Sequence, residues 1–185
     1  MMPIRPLRAV FSTLTACLFI LMTTSAHADK KEVIDSNTEN ALVKLRGHST
    51  GTDELLDKAY GVLVFPDVVK MGFGGGGRFG EGSLLVDGET KAYYVTAGVP
   101  HSAQPDAEFK AEVILFMTEQ ALQEFRSSQG WEVGVDGSVS LVNTDIGEGI
   151  KPADVTEPVV GFMFSDKGMM KNLTLEGSRI TRIAR

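Results

Sequence analysis

Hydrophobic positions change their spacing several times along this chain. Over 31–46, "KEVIDSNTENALVKLR", residues Ile34, Thr38, Ala41, Leu42 and Leu45 recur every three or four positions, which predicts an amphipathic helix stopped by Gly47. "TDELLDKAYG" predicts a second, short helix, with Thr52 as its cap, Asp53 and Glu54 in the first turn, and Gly61 beyond the last. From Gly61 the period shortens. "GVLVF" is a continuous apolar run ended by Pro66, the profile of a buried strand. Asp87-Gly88 separates two β-rich runs and predicts a hairpin. "EFKAEVILF" alternates Phe109, Ala111, Val113 and Leu115 against Lys110 and Glu112, as a half-buried strand does. Thr118 then caps a helix over "EQALQEFRSSQ" that stops at Gly130. "WEVGVDGSVSLV" alternates most regularly, with Trp131, Val133, Val135, Val139 and Leu141 on one face. Residues 143–158 read as an acidic, Pro-containing loop, and "PVVGFMF", "KNLTLEG" and "RITRI" close the chain as three short strands, with a turn at "SDKG". Short strands joined by hairpins, with two or three flanking helices, predict an α+β domain whose antiparallel sheet is curled or partly closed into a barrel.

The first 28 residues follow a different pattern. Arg5 and Arg8 precede the apolar stretch "AVFSTLTACLFILM", and Ala26-His27-Ala28 has the small-x-small form of a signal-peptidase site. That order predicts a secretory signal cleaved after Ala28, placing residues 29–185 in the periplasm or outside the cell as one domain. "LTAC" offers an alternative, in which Cys17 is the acylated first residue of a lipoprotein. The apolar run continues past Cys17, which favours the first reading. Cleavage after Ala28 leaves 157 residues and removes two bases but no acid, so the net charge of −6 becomes −8. It also removes the single cysteine, and with it disulfides, thiolate metal sites and thiol nucleophiles. A general nucleic-acid binder needs a basic footprint, which this charge argues against.

"KMGFGGGGRFGEG" (70–82) could be a phosphate loop, since Gly72, Gly74 and Gly77 match G-x-G-x-x-G, as do Gly75, Gly77 and Gly80. Such a loop must open a helix, whose N-terminal amides hold the phosphate. Here Arg78-Phe79-Gly80-Glu81-Gly82 leads straight into a strand. The glycines Gly72, Gly74, Gly75, Gly76, Gly77, Gly80 and Gly82 are therefore read as sheet built for close approach of another backbone or a ligand. Enzymatic signals are sparse. After processing only His48 and His101 remain, without metal spacing, no serine lies in G-x-S-x-G, and the acids Asp136, Asp145, Glu148, Asp154 and Glu157 fit no calcium loop. No catalytic residue, metal or cofactor is expected.

The bases are more informative. Lys70 and Arg78 flank the glycine stretch. Lys167, Lys171, Arg179, Arg182 and Arg185 crowd the last nineteen residues, against Glu176 alone. Such bases can serve solubility and protect strand edges, or they can form a contact face for anionic head groups.

"GVLVFPDVVKMGFGGGGRFGEGSLLVDGETKAYYVTAG" resembles the central signature of the SYLF domain, a lipid-binding family also present in yeast and animal actin-patch proteins. The matching parts are Val64-Phe65-Pro66, Lys70, Gly72 to Gly77 and Gly80-Glu81-Gly82. "LFMTEQAL", "SSQGWEVGVDGSV" and "FMFSDKGMMKNLTLEGSRITRI" follow in the family's order, so the resemblance runs from about residue 33 to the end of the sequence. It implies a non-enzymatic lipid-binding domain. Eukaryotic members bind phosphoinositides through a basic surface aided by an amphipathic N-terminal helix, and some bundle actin. A bacterial-type secretory signal sets actin aside here. The resemblance carries the binding role to Lys70 and Lys167, while Arg78 adds charge and Arg179 stands where a lysine is usual. Together Lys70, Arg78, Lys167, Lys171 and Arg179 are the expected contacts with anionic phospholipid or a membrane surface, on which the helix at 31–46 can rest. The chain departs from the family at "VPHSAQPDAEFKAEV", where bacterial relatives carry G-x-Q-x-G-A-Q; Pro100 and Pro105 replace strand with loop and put ligand choice in question. The alternative function is an envelope structural or protein-interaction module.

Overall fold

The computed structural model describes residues 30–70, 77–98, 110–142, 149–171 and 173–185, without the side chains of Lys70 and Lys110. Two helices, α1 (Lys31–His48) and α2 (Thr52–Lys58), precede strands β1 (Gly61–Lys70), β2 (Arg78–Val86), β3 (Glu89–Gly98) and β4 (Lys110–Phe116). After α3 (Glu119–Ser127) come β5 (Trp131–Glu132), β6 (Ser140–Leu141), β7 (Val159–Ser165), β8 (Gly168–Met169) and β9 (Arg179–Ile183). The strands form one sheet in the order β5-β9-β3-β2-β1-β4-β7-β6, with β8 attached to β7. All pairings between the strands are antiparallel except β6 with β7. The sheet curls into a half-barrel, as expected for the α+β class.

Strand parity builds two cores. Leu63, Phe65, Leu84, Tyr94, Ile114, Phe116, Met163 and Ile180 share one cluster with α3, Trp131 and Leu175. Because it gathers side chains from both ends of the strand order, this cluster fills the concave side. Val64, Val113, Leu115, Val160, Phe162 and Phe164 point the other way, onto α1 and α2. The five α1 positions that the spacing predicted are all buried, Ala41, Leu42 and Leu45 in this second cluster. A leucine or phenylalanine withdrawn fully from water contributes roughly 1.5–3 kcal/mol, so both faces stabilise the sheet.

Local chemistry explains where the elements begin and end. Asp87 and Gly88 have φ of 53° and 75°, the paired positive values of a type I′ hairpin turn. Thr118 accepts a hydrogen bond from the Ala121 amide and caps α3, as predicted. Thr52 is instead the first helical residue of α2; left-handed Gly51 precedes it, and the Thr52 hydroxyl donates to the Ser49 carbonyl.

Other expectations are corrected. Pro66 does not end β1: the pairing register shifts between Val64 and Val69 on one side and between Phe65 and Val68 on the other. The proline sits in that irregular stretch, where its missing N–H costs no ladder bond. Residues 131–142 are not one long strand. A turn at Gly134–Asp136 breaks them, with Gly134 at φ 92° and the Gly134 amide bonded to the Gly137 carbonyl. Val135 lies at the turn tip, 74% exposed, while Trp131, Val133, Val139 and Leu141 still reach the concave core. "KNLTLEG" forms no strand in its described residues.

Candidate functional site

The glycine stretch meets the described structure at Gly77, Gly80 and Gly82; Gly72, Gly74, Gly75 and Gly76 lie outside it. Gly80 and Gly82 sit on the concave side of β2, where β1 bends over them. A Cβ on Gly82 would stand 2.0 Å from the Val64 carbonyl oxygen, and one on Gly80 would stand 3.0 Å from that of Asp67. Within the sheet, then, these two glycines admit a neighbouring backbone.

Arg78, on the same concave parity, does not present its charge to solvent. Its guanidinium holds Glu112 through two parallel bonds, Nη1 to Oε1 at 2.5 Å and Nη2 to Oε2 at 3.2 Å. Nη2 also reaches the Ser178 and Thr96 hydroxyls. The Arg78 side chain is 10% exposed and that of Glu112 1%. The alternation in "EFKAEVILF" assigned Glu112 to the polar face; the curled sheet makes that face an interior, and Arg78 is what satisfies the carboxylate there. A bidentate fork inside a low-dielectric barrel is a strong, directional pair, and without Glu112 the Arg78 guanidinium would be a buried charge facing only hydroxyls.

The other predicted bases are dispersed. Lys70 falls in β1, opposite Arg78 in the ladder. Lys167 is exposed in the β7–β8 turn and Lys171 half-buried just after β8. Arg179 is exposed on β9, its guanidinium lying over Gly130 and 3.8 Å from Glu132. Strand order puts β9 and β8 toward opposite ends of the sheet.

Arg182 and Arg185, members of the basic C-terminal cluster but outside the expected contact set, converge with Lys31 and Lys91, which sequence reasoning passed over. Together with Tyr93 these four bases line an open groove of about 640 Å³ between the start of α1, β3 and the end of β9. None of its lining residues is acidic. The register sets Ile183 beside Tyr93 on the α1 side of the sheet and Arg182 beside Tyr94 on the concave side, so Arg182 meets this groove only at its rim. Each base has its own surroundings. Lys31 lies over the Tyr93 ring, 5.9 Å from its centroid. Lys91 pairs with exposed Glu89. Arg185 is half-buried against Glu81, and the Glu81 Oε2 and Arg185 Nε atoms are buried without a hydrogen-bond partner. Arg182 is exposed and makes no ion pair with the described residues.

Tyr93 fixes the groove's floor. The Tyr93 hydroxyl donates to Asp35 Oδ2 at 2.8 Å, and Thr90 donates to Oδ1 at 2.9 Å, so one α1 carboxylate is tied twice to β3. Burial, reinforced by that carboxylate, pushes the Tyr93 phenol up to about 12. Burial likewise raises Tyr94, with the positive charges of Arg182 and Arg126 pulling against it, although Tyr94 belongs to the concave core and not to the groove.

Nothing else in the described structure points to catalysis. His48 packs edge-on against Phe164 with Nε2 buried and unpartnered; His101 lies outside the described residues. Among the described residues no group of three His, Cys, Asp or Glu is placed to hold a metal ion, and no helix is long and apolar enough to cross a membrane. No family model matches the chain, and no curated protein matches it.

Proposed function

We propose that this protein is a secreted or periplasmic, non-enzymatic domain that binds anionic lipid head groups at a membrane surface. The observation that carries the reading is the placement of exposed arginines along β9, Arg179 and Arg182, in a chain whose net charge is −6. Lys167 and Lys171 add positive charge at the β7–β8 turn, toward the other end of the strand order. Near an anionic surface each such base contributes about 1 kcal/mol, so a few of them hold a small domain reversibly without any inserted helix. The ordered likeness to SYLF motifs supports the same reading. The buried fork makes Arg78 a holder of the fold, with head-group contact left to the outward bases and to Lys70.

Vesicle flotation of the full-length protein tests this. Binding to anionic vesicles that weakens steeply between low and physiological salt, and is reduced in a Lys167→Ala/Lys171→Ala/Arg179→Ala variant, is the expected result. Absence of flotation on every lipid, with the protein folded, would refute it and favour a protein partner in the envelope.

A further inference from the structure

We infer that the hollow framed by α1, the bend of β1 and the β7–β8 turn is a binding site for a small zwitterion of the amino-acid class. Its floor is apolar, formed by Ala41 of α1, Ala111 of β4 and Phe164 of β7, all buried. Two alanines where the helix meets the sheet leave open the space that larger side chains would fill. The rim is polar and bridges α1 to the sheet twice. Asn37 Nδ2 donates to Asp67 Oδ2 at 3.3 Å, and the Lys44 ammonium holds Asp166 Oδ1 at 2.6 Å. Neither bridge is tight. The first is a long hydrogen bond between exposed groups. The second joins side chains 55% and 82% exposed, a screened pair that a ligand can displace.

Charge narrows the ligand. Two carboxylates, Asp67 and Asp166, against the single ammonium of Lys44 disfavour an anion. That ammonium in turn opposes a bare metal ion, and among the described residues no group of three His, Cys, Asp or Glu is placed to hold one. A wholly apolar molecule would cover Asp67 and Asn40 without giving them partners. An uncharged polyol would forgo the charge-assisted bonds, which are roughly twice as strong as neutral ones. A molecule with an ammonium at one end and a carboxylate at the other meets both poles of the rim. Asp67, with the carboxamide oxygens of Asn37 and Asn40, accepts from the ammonium, while Lys44 exchanges Asp166 for the ligand carboxylate. The hollow measures about 170 Å³. An apolar cavity of about 150 Å³ holds benzene, so a short amino acid such as valine is of the right size, its side chain lying on the alanine floor.

The site uses none of the bases assigned to membrane contact, so the two readings stand or fall separately. Calorimetric titration of the full-length protein with valine, N-acetylvaline and valinamide reads the hollow without any lipid. N-acetylvaline lacks the ammonium and valinamide lacks the carboxylate. The expected result is saturable binding of valine, weakened roughly tenfold or more in either derivative and in the Asp67→Asn and Lys44→Met variants. Ala111→Leu, which fills the floor, should abolish binding. Glu54→Gln, which removes a charge outside the hollow, should bind valine as the parent does. Circular dichroism confirms that each variant is folded, and the exposed Asp67 and Lys44 positions keep the test independent of the core substitution.

If valinamide binds as well as valine, Lys44 meets no carboxylate and the zwitterion assignment falls. If valine binds equally to the Asp67 and Lys44 variants, it sits elsewhere on the protein and the hollow is not its site. Absence of saturable binding by valine in the millimolar range overturns the inference outright, even where anionic vesicles still float the protein.

Discussion

The two ends of the β3–β9 ladder hold arginines in opposite circumstances. At the Ala97–Arg179 end, Arg78 is folded inward onto Glu112, Thr96 and Ser178, and its charge is spent inside the barrel. At the Tyr93–Ile183 end, Arg182 has the same concave parity but is exposed at the rim and makes no ion pair with the described residues. What separates them is the neighbour that the curled sheet supplies. Glu112 reaches across the concave side to meet Arg78, whereas α3 fills the space below Tyr94 and leaves Arg182 at the rim. One arginine therefore belongs to the fold's energetics, and the other keeps its charge in solvent.

Cutting the inward pair gives the largest expected effect. Glu112→Ala should lose about 3–5 kcal/mol in urea unfolding, because Arg78 is left buried and unpaired. Replacing both partners with well-packed apolar residues, as in Arg78→Met/Glu112→Leu, should recover much of that loss. A double variant as unstable as the single one would show that the charges themselves are required.

Next in size is Gly82→Ala. Its Cβ would collide with the Val64 carbonyl, so β1 and β2 must part, with a loss upward of about 2 kcal/mol by the same measurement. Full stability would mean that β1 approaches less closely than described.

A smaller, pH-dependent effect belongs to Tyr93. Its folded pKa of about 12 lies above the ordinary value of 10, so the native state holds this proton more tightly than the unfolded chain does. The stabilisation is fully present below about pH 10 and is lost as pH rises through 12. The urea midpoint of Tyr93→Phe should accordingly fall less between pH 10 and 12 than that of the parent protein. Smallest of all is Lys58→Ala, which breaks an exposed pair with Glu54 within α2 and should cost only about 0.3–0.5 kcal/mol.

Much of the fold could be read from residue spacing, and much of the site could not. The α1 core positions, the Asp87-Gly88 hairpin and the Thr118 cap are local features, set within a few residues by periodicity, turn chemistry and side-chain reach. Pro66 misled because a bulge is a property of two strands and only one is visible in its sequence. Val135 misled because alternation continues across Gly134, while the chain reverses there. Glu112 looked solvent-facing because alternation marks two faces and cannot say that both are interior. The basic groove joins the start of α1, β3 and residues from Arg182 onward, segments far apart in the chain that only the tertiary fold brings together. The crowding of bases at 167–185 was the visible signal; its division between rim, edge and interior was set by topology.

The most direct test compares Arg78→Ala with Arg182→Ala, measuring urea stability and flotation on anionic vesicles on the same samples. Arg182→Ala should stay within about 0.5 kcal/mol of the parent and float less at low salt. Arg78→Ala should lose several times that stability, and its folded fraction should float as the parent does. The reverse pattern, with Arg78 governing binding and Arg182 governing stability, would contradict the division of roles drawn from the two ends of the ladder.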